Sequence, residues 1–111
     1  MARVRAILRR VRVVVAGLDY LGAIFPADIQ KARSEGGFQH PFYSLHAMKQ
    51  LGRLTGQRFL GKKDWYRIGC EYLVSTQQKD GSWEGQTTDL DRWSVVATCF
   101  ALIFLSEPAK K

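Results

Sequence analysis

The chain has 111 residues, of which 46% are hydrophobic and 12% aromatic, and this is enough apolar material for one packed core. The formal net charge of +7 is concentrated in the first twelve positions, where five basic residues lack the aromatic and amide neighbours typical of nucleic-acid readers, so we expect no nucleic-acid partner. No apolar run approaches the roughly 20 residues that cross a bilayer, which argues against a transmembrane segment.

The first predicted helix spans residues 4–25. Its apolar residues recur every three or four positions, which is the period of one helical stripe, and they are Val4, Leu8, Val11, Val15, Leu18, Leu21 and Phe25. Pro26 has no amide donor and disfavours helical geometry in the residue before it, so the helix should end there. Residues 31–40 are typical of a connecting loop, and a short helical turn over residues 28–33 is left open.

The second predicted helix covers residues 41–54, with Pro41 in its first turn and Gly56 beyond its end. Its broad apolar face comprises Phe42, Leu45, Met48, Leu51 and Leu54.

The third predicted helix covers residues 64–78, and Asp64 is a suitable N-cap for it. One face is polar, with Arg67, Glu71 and Ser75. The opposite face should be buried, and it comprises Trp65, Ile68, Gly69, Tyr72, Leu73 and Thr76.

Residues 77–91 are predicted to form a loop, and a fourth helix follows over residues 92–106. This helix is apolar on every side, so we expect it to be buried all round. The first and third helices show one apolar stripe each. A chain that mixes inner and outer helices in this way is typical of layered helical hairpins.

Six residues between positions 69 and 83 form a spaced motif. A small residue, an aromatic residue before Leu, a Gln and a Gly-x-Trp sequence follow in order, as Gly69, Tyr72, Leu73, Gln77, Gly81 and Trp83. The segment resembles the QW repeat of squalene-hopene and oxidosqualene cyclases. The Gln can bond backbone groups left open at a helix terminus, and the Trp ring can lie over its amide and pack the turn. We expect the motif to staple helical hairpins together.

Residues 40–45, 51–56, 64–67 and 97–105 also resemble the helices that flank this repeat in prenyltransferase and squalene-oxidase-repeat proteins. The resemblance implies an all-α fold of helical hairpins from an (α/α) toroid. A closed toroid of this family has many more helices than the four predicted here. The resemblance therefore implies an incomplete barrel, the C-terminal portion of a toroid, as a single partial repeat domain over residues 1–111.

The acid that gives such cyclases their chemistry has no counterpart here. The family's Asp-rich segment keeps one acid protonated, which requires clustered carboxylates in a dry cavity, and no Asp-x-Asp-Asp sequence occurs. Asp89 and Asp91 come nearest, and capping of the fourth helix explains them more simply. We predict no catalytic residue in this chain.

Zinc ligands were considered because protein prenyltransferases of the same toroid class bind zinc through Asp, Cys and His. Cys70, Cys99, His40 and His46 place no ligand pair on one helix face, so we predict neither a metal nor another cofactor. Cys99 is expected to be a small core residue and His46 a rim residue. The two cysteines are expected to stay reduced in a cytoplasmic protein.

Aromatic rings allow two interpretations. Cyclases line their cavities with rings that stabilise cations, and the candidates here are Trp65, Tyr66, Trp93 and Phe100. Their helical spacing also suits a plain core, which we favour.

The leading functional hypothesis is a non-catalytic fragment or small relative of a terpene-cyclase-like protein, acting as a scaffold or binding module. We expect it to self-associate or dock on other toroid repeats, and an isoprenoid or other hydrophobic ligand fits the resemblance. One alternative is a part of a triterpene cyclase or prenyltransferase whose catalytic residues lie elsewhere. Another is peripheral association with an anionic membrane through the first helix, where Arg5, Arg9 and Arg12 share one stripe.

Overall fold

A computed structural model describes residues 2–85 and 93–106. This part of the chain is 70% helix and 4% strand, in agreement with the predicted all-α class. Its elements are α1 (Ala2–Ile24), α2 (Ile29–Ser34), α3 (Pro41–Thr55), β1 (Phe59–Leu60), β2 (Lys63–Asp64), α4 (Trp65–Thr76) and α5 (Ser94–Ser106). The four long helices begin and end within two residues of the predicted limits, whereas the β1–β2 hairpin was not foreseen because strands of two residues carry no alternation pattern.

Side-chain caps begin two of the helices. Asp28 accepts a hydrogen bond from the Lys31 amide at 3.1 Å and starts α2, which answers the question left open for residues 28–33. Asp64 accepts from the Arg67 amide at 3.1 Å and starts α4, as predicted. Gly56 ends α3 with φ +72, a left-handed conformation that costs glycine little.

The hydrophobic core lies between α3, α4 and α5. Thirteen buried hydrophobic residues form it, namely Phe25, Ile29, Phe42, Leu45, Met48, Leu60, Trp65, Tyr72, Leu73, Trp83, Ala97, Ala101 and Phe104. Gly69 allows α4 to approach α5 closely, because a Cβ there would lie 2.5 Å from the Phe104 ring. The predicted inner face of α4 is therefore confirmed, as are most of the α3 positions.

Burial around α1 differs from the prediction. No residue of α1 is buried, and Val4, Leu8, Val11 and Val15 are each about half exposed, at 49–54%. Only the C-terminal end of the stripe reaches the core, where Leu18 and Leu21 pack against it. Most of the stripe therefore lacks cover, because only Leu54, Thr55 and Gln57 line the open groove beside it.

The expectation that α5 is buried all round is also wrong. Ala97, Ala101 and Phe104 are buried, but the opposite side is exposed, with Val95 74% and Leu102 52% exposed. In the described part of the chain α3, α4 and the loop residue Trp83 pack on α5, and they cover one side. Leu54, predicted on the apolar face of α3, is 86% exposed at the end of that helix.

Helix α1 projects from the body as an arm. The molecule measures 58 × 29 × 24 Å, and a 23-residue helix accounts for about 35 Å. The arm is held at its C-terminal end, where Gly22 faces the Leu60 backbone and Lys63 Nζ donates to the Phe25 carbonyl at 2.6 Å. Among the helices of residues 2–85 and 93–106, none combines the length and apolarity needed to cross a membrane.

Candidate functional site

Trp83 joins the end of α4 to α5. The residue is 2% exposed, and its indole Nε1 donates to the Leu73 carbonyl oxygen at 2.8 Å. That carbonyl belongs to the last turn of α4, where helical amides no longer supply donors. The Trp83 amide donates to Thr98 Oγ1 of α5 at 2.9 Å. One loop residue therefore satisfies a helix terminus and holds the neighbouring helix.

Gln77 and Gly81 close the turn that precedes Trp83. The Gln77 Nε2 donates to the Gly81 carbonyl oxygen at 2.9 Å, and Gly81 adopts φ +92, which favours glycine. We predicted that the Gln side chain would bond open groups at a helix terminus. Within residues 2–85 and 93–106 the Trp83 indole has that role instead, because Gln77 already has an extended backbone and its side chain turns into the loop.

Lys49 is a charged residue on the buried face of α3, and it is only 3% exposed. Its Nζ donates to the carbonyl oxygens of Ile103 at 2.6 Å and of Phe104 at 2.9 Å. Both carbonyls lie in the last turn of α5, which is the negative end of the helix dipole. The ammonium also lies 6.0 Å from the centroid of the Tyr66 ring. Lys49 therefore caps α5 from α3.

The sequence contained a signal for this cap that was overlooked. Lys49 follows Met48 and lies four positions after Leu45, in the middle of the apolar face of α3. A lysine at a core position must find acceptors, because an unpaired buried ammonium is strongly unfavourable.

The four aromatic residues predicted for a cavity occupy different environments. Trp65 is 1% exposed, and Tyr66 stacks on Phe104 with 4.9 Å between ring centroids. Phe100 is half-buried on α5, and Trp93 is 61% exposed at the start of that helix. Trp65 and Tyr66 therefore take part in core packing, as we favoured.

An apolar pocket of about 360 Å³ lies between the end of α1 and α3. Phe25 and Phe38 are among the residues that line it, with their rings edge-on at 5.7 Å between centroids. Phe38 has φ +51, and Arg33 Nη1 donates to its carbonyl at 2.9 Å. The pocket is at the small end of the range for ligand sites, and its described lining includes none of the four predicted aromatics.

Arg58 and Asp64 form a bidentate ion pair at the start of α4. Arg58 Nε and Nη2 lie 2.7 and 3.0 Å from the two carboxylate oxygens. Burial raises the pKa of Asp64, but the hydrogen bonds from Arg58 and the Arg67 amide, together with the Arg58 charge, bring that pKa below its ordinary value. The charged carboxylate therefore stabilises the fold.

We expect the contribution of this carboxylate to disappear in acid. A depressed pKa in the folded state adds stability above the unfolded pKa, and the addition is lost as pH falls through the folded pKa. The Arg58 side chain is 37% exposed, so solvent screens the ion pair. At neutral pH the free energy of unfolding of wild type should therefore exceed that of Asp64→Asn by only about 1 kcal/mol. Urea unfolding of both proteins should give a constant difference above about pH 5 that shrinks below about pH 4. A difference independent of pH would contradict this role.

Cysteine and histidine side chains do not form a metal centre in residues 2–85 and 93–106, since no group of three or more His, Cys, Asp or Glu there could hold an ion. Burial raises the pKa of the Cys70 thiol, which favours its protonated form. The prediction that Cys99 is a core residue is wrong, because Cys99 is exposed on the uncovered side of α5. Asp89 and Asp91 lie outside the described residues.

The exposed side of α5 forms a continuous surface without charge. We call it the α5 face, and its members are Val95, Val96, Cys99, Leu102 and Ile103. The four aliphatic residues are between 40% and 74% exposed. Since monomeric proteins seldom expose contiguous apolar surface, this face is a candidate docking surface.

The apolar stripe of the α1 arm is a second uncovered surface, and its composition differs. At 100° per residue, Val4, Ile7, Leu8, Val11, Val14 and Val15 share one side of the helix. Arg5, Arg9 and Arg12 follow one edge of this stripe, while Arg3 and Arg10 follow the other. The arm is therefore amphipathic with a strongly basic polar side.

Comparison of the chain with models of protein families, with curated proteins and with solved structures found no match. The resemblance to the QW repeat therefore depends on the six motif residues and on the flanking segments 40–45, 51–56, 64–67 and 97–105. Trp83, Leu73 and Gly69 lie where α4 meets its loop and α5.

Proposed function

We propose that the chain is a non-catalytic helical module of the (α/α)-toroid repeat type, and that it acts by docking on further helices. The observation that carries this proposal is the α5 face, the uncovered side of a helix that is apolar all round. Water disfavours such a surface, and helical-repeat proteins cover it with the next repeat.

The contacts of Trp83 support a repeat of this kind. The motif links α4 through its loop to α5, and Lys49 links α3 to the end of α5. Three helices thus form one unit that holds α5 in place and leaves its outer face available. In a repeat protein, each unit cannot bury its own outer face, and its neighbour does so.

The α5 face is too small to support tight binding without further contacts. Burying an exposed aliphatic side chain contributes about 1 kcal/mol when half of its surface is still open, so four of them give about 4 kcal/mol in all. Association costs about this much or more in translational and rotational freedom. We therefore expect weak binding by the α5 face in isolation.

We expect the chain to associate through the α5 face, and a single charged substitution on that face should abolish the association. Wild type should form species larger than a monomer in sedimentation velocity as its concentration rises towards the millimolar range, where so weak a contact becomes populated. Leu102→Glu should remain monomeric, because burying its carboxylate without a partner is strongly unfavourable. Val13→Glu is the matched control, since Val13 is 65% exposed on α1 away from the stripe. A monomeric wild type that sediments like Leu102→Glu at every concentration would overturn the proposal.

A second candidate function is peripheral binding to an anionic membrane through the α1 arm. The specific observation is that the apolar stripe is half exposed and has arginines along both edges. Amphipathic helices of this composition lie in the membrane interface, and each basic residue near an anionic surface contributes about 1 kcal/mol.

Vesicle sedimentation tests this second candidate. We expect the chain to bind vesicles that contain phosphatidylserine and not vesicles of phosphatidylcholine alone, with weaker binding at high salt. Val11→Asp, within the stripe, should reduce binding far more than Val13→Asp, because both change the charge equally and only Val11 faces the acyl region. Equal effects of the two substitutions would exclude insertion of the stripe.

A further inference from the structure

We propose that an acidic amphipathic helix of a partner protein docks along the α1 arm, in the groove between the arm and the end of α3. This site is separate from the α5 face, and it extends the proposed docking function to a second surface with a partner of stated charge. The inference follows from the shape of the groove, its apolar lining and the arginines on both edges of the stripe.

The groove beside the arm has two walls. One wall is the apolar stripe between Ile7 and Leu18, and the other is formed by Leu54 and Thr55 at the end of α3. The cavity between them has a volume of about 610 Å³. Leu54 is 86% exposed and Val14, on the wall formed by the arm, is 47% exposed. Both walls therefore carry apolar surface that a further element can bury.

The dimensions of the groove suit a helix. Residues 7–18 of the arm rise about 17 Å, which is about three helical turns. The smaller apolar pocket follows in the same direction, between residues 21–26 and α3, so the apolar lining continues along about 27 Å of α1. Helix α1 packs chiefly on β1 and leaves this space open. A helix with one apolar side fills such a space, because residues three and four positions apart share a face.

The charge around the groove selects an acidic partner. Five arginines border the stripe, three along one edge and two along the other, and Arg10 lines the groove itself. Asp19 is the first acidic residue of the chain. In the described part of the chain, no carboxylate forms an ion pair with any of these five arginines. They match a helix that carries carboxylates on both sides of its own stripe, as flanking charges choose the partner in coiled coils.

A second copy of the chain does not fit this pattern. Its arm brings the same five arginines and its α5 face brings no charge, so neither surface supplies carboxylates to the groove. An anionic membrane does supply negative charge, but a bilayer presents a flat surface, whereas a helix about 10 Å across can contact both walls at once. A protein helix is therefore the occupant that shape and charge together favour.

Designed peptides and the full chain test the inference. The probe is a fluorescein-labelled helix of about 18 residues, with Leu at the a and d positions and Glu at e and g, which matches the length of the apolar lining. We expect its anisotropy to rise on titration with the chain, and its affinity to fall about tenfold or more between about 0.05 and 0.5 M salt. A peptide with Lys in place of Glu should bind about tenfold more weakly or worse.

A third peptide keeps Glu and has Ser in place of Leu. It should also bind about tenfold more weakly or worse, because it has no apolar side to bury. Binding equal to that of the first peptide would show a diffuse attraction between opposite charges, and it would overturn docking in the groove.

Substitutions on each wall locate the bound peptide. Val14→Asp in the stripe and Leu54→Ser on the α3 wall should each weaken binding about fivefold or more, because each removes apolar contact. The matched controls are Val13→Asp, on the opposite side of the arm, and Val74→Ser, on α4. The replaced side chains are 65% and 70% exposed, and both variants should bind within about twofold of wild type. Full binding by Leu54→Ser would exclude a groove with two walls.

The outcomes separate this inference from both proposed functions. Leu102→Glu should bind the acidic peptide as tightly as wild type does, and loss of binding in that variant would place the peptide on the α5 face and overturn the groove. Binding to phosphatidylserine vesicles without any binding of the peptide would also overturn it, and would leave membrane association as the role of the arm. A chain that binds the peptide but never self-associates would overturn only association through the α5 face.

Discussion

Replacing Trp83 by Ala should lower the free energy of unfolding by about 3–5 kcal/mol. Three losses combine: the buried ring leaves a cavity, the Leu73 carbonyl loses the indole donor at 2.8 Å, and the loop no longer packs against α5. Chemical denaturation followed by far-ultraviolet circular dichroism measures the effect. An unchanged midpoint would contradict the stapling role that we assign to this residue.

Trp83→Phe separates the ring from its hydrogen bond. The phenyl ring retains much of the apolar contact but cannot donate, so we expect a smaller loss of about 1–3 kcal/mol. If Trp83→Phe is as destabilising as Trp83→Ala, the hydrogen bond of the indole N–H makes the larger contribution to stability. If Trp83→Phe does not change the free energy of unfolding, the hydrogen bond to the Leu73 carbonyl does not contribute to stability and only the packing of the ring does.

Replacing Lys49 by Met should lower the free energy of unfolding by about 2–3 kcal/mol, although Met fits an apolar face better than Lys does. The reason lies in the two carbonyls of the last turn of α5, Ile103 and Phe104, which lose the donors at 2.6 and 2.9 Å. Removal of a buried charge offsets part of the loss, since the ammonium no longer needs to be desolvated. Urea unfolding at neutral pH measures the balance.

The matched control for Lys49→Met is Lys62→Met. Lys62 is exposed in the turn of the β1–β2 hairpin, and the same substitution there should change stability by less than about 0.5 kcal/mol. A Lys49→Met protein as stable as this control would mean that the end of α5 does not depend on the cap. The α5 face would then lose one of the contacts that fix its position.

The sequence was sufficient to predict the four long helices, but not α2, which covers residues 31–34 of the predicted loop. Pro26, Pro41, Asp64 and Gly56 act on the backbone within one or two positions, so helix limits follow from local chemistry. Likewise, the stripe of α4 from Trp65 to Leu73 contains both its period and its polar outer face, and it is buried as predicted.

The sequence could not show in the same way whether other elements bury the outer sides of the helices. The composition of α5 shows how much apolar surface the helix has, but not how many helices surround it. The 74% exposure of Val95 could therefore not be predicted. The stripe of α1 has the same ambiguity, because a period of three to four residues serves a core, a partner or a membrane equally. We expected Gln77 to bond the open end of α4, but the Trp83 indole does so and Gln77 bonds within the loop. The spacing of the motif does not specify in which direction these side chains point.

The glycines of the helices determine where the chain can be made more stable by engineering. Alanine in place of a helical glycine ordinarily adds up to about 1 kcal/mol. Gly17 on the α1 arm has nothing within 4 Å of a new methyl group, so the gain is available there. At Gly69 the methyl would collide with Phe104, and at Gly52 with the ring of Trp65. A thermostabilised version of this chain should therefore carry alanine at position 17 and keep both core glycines.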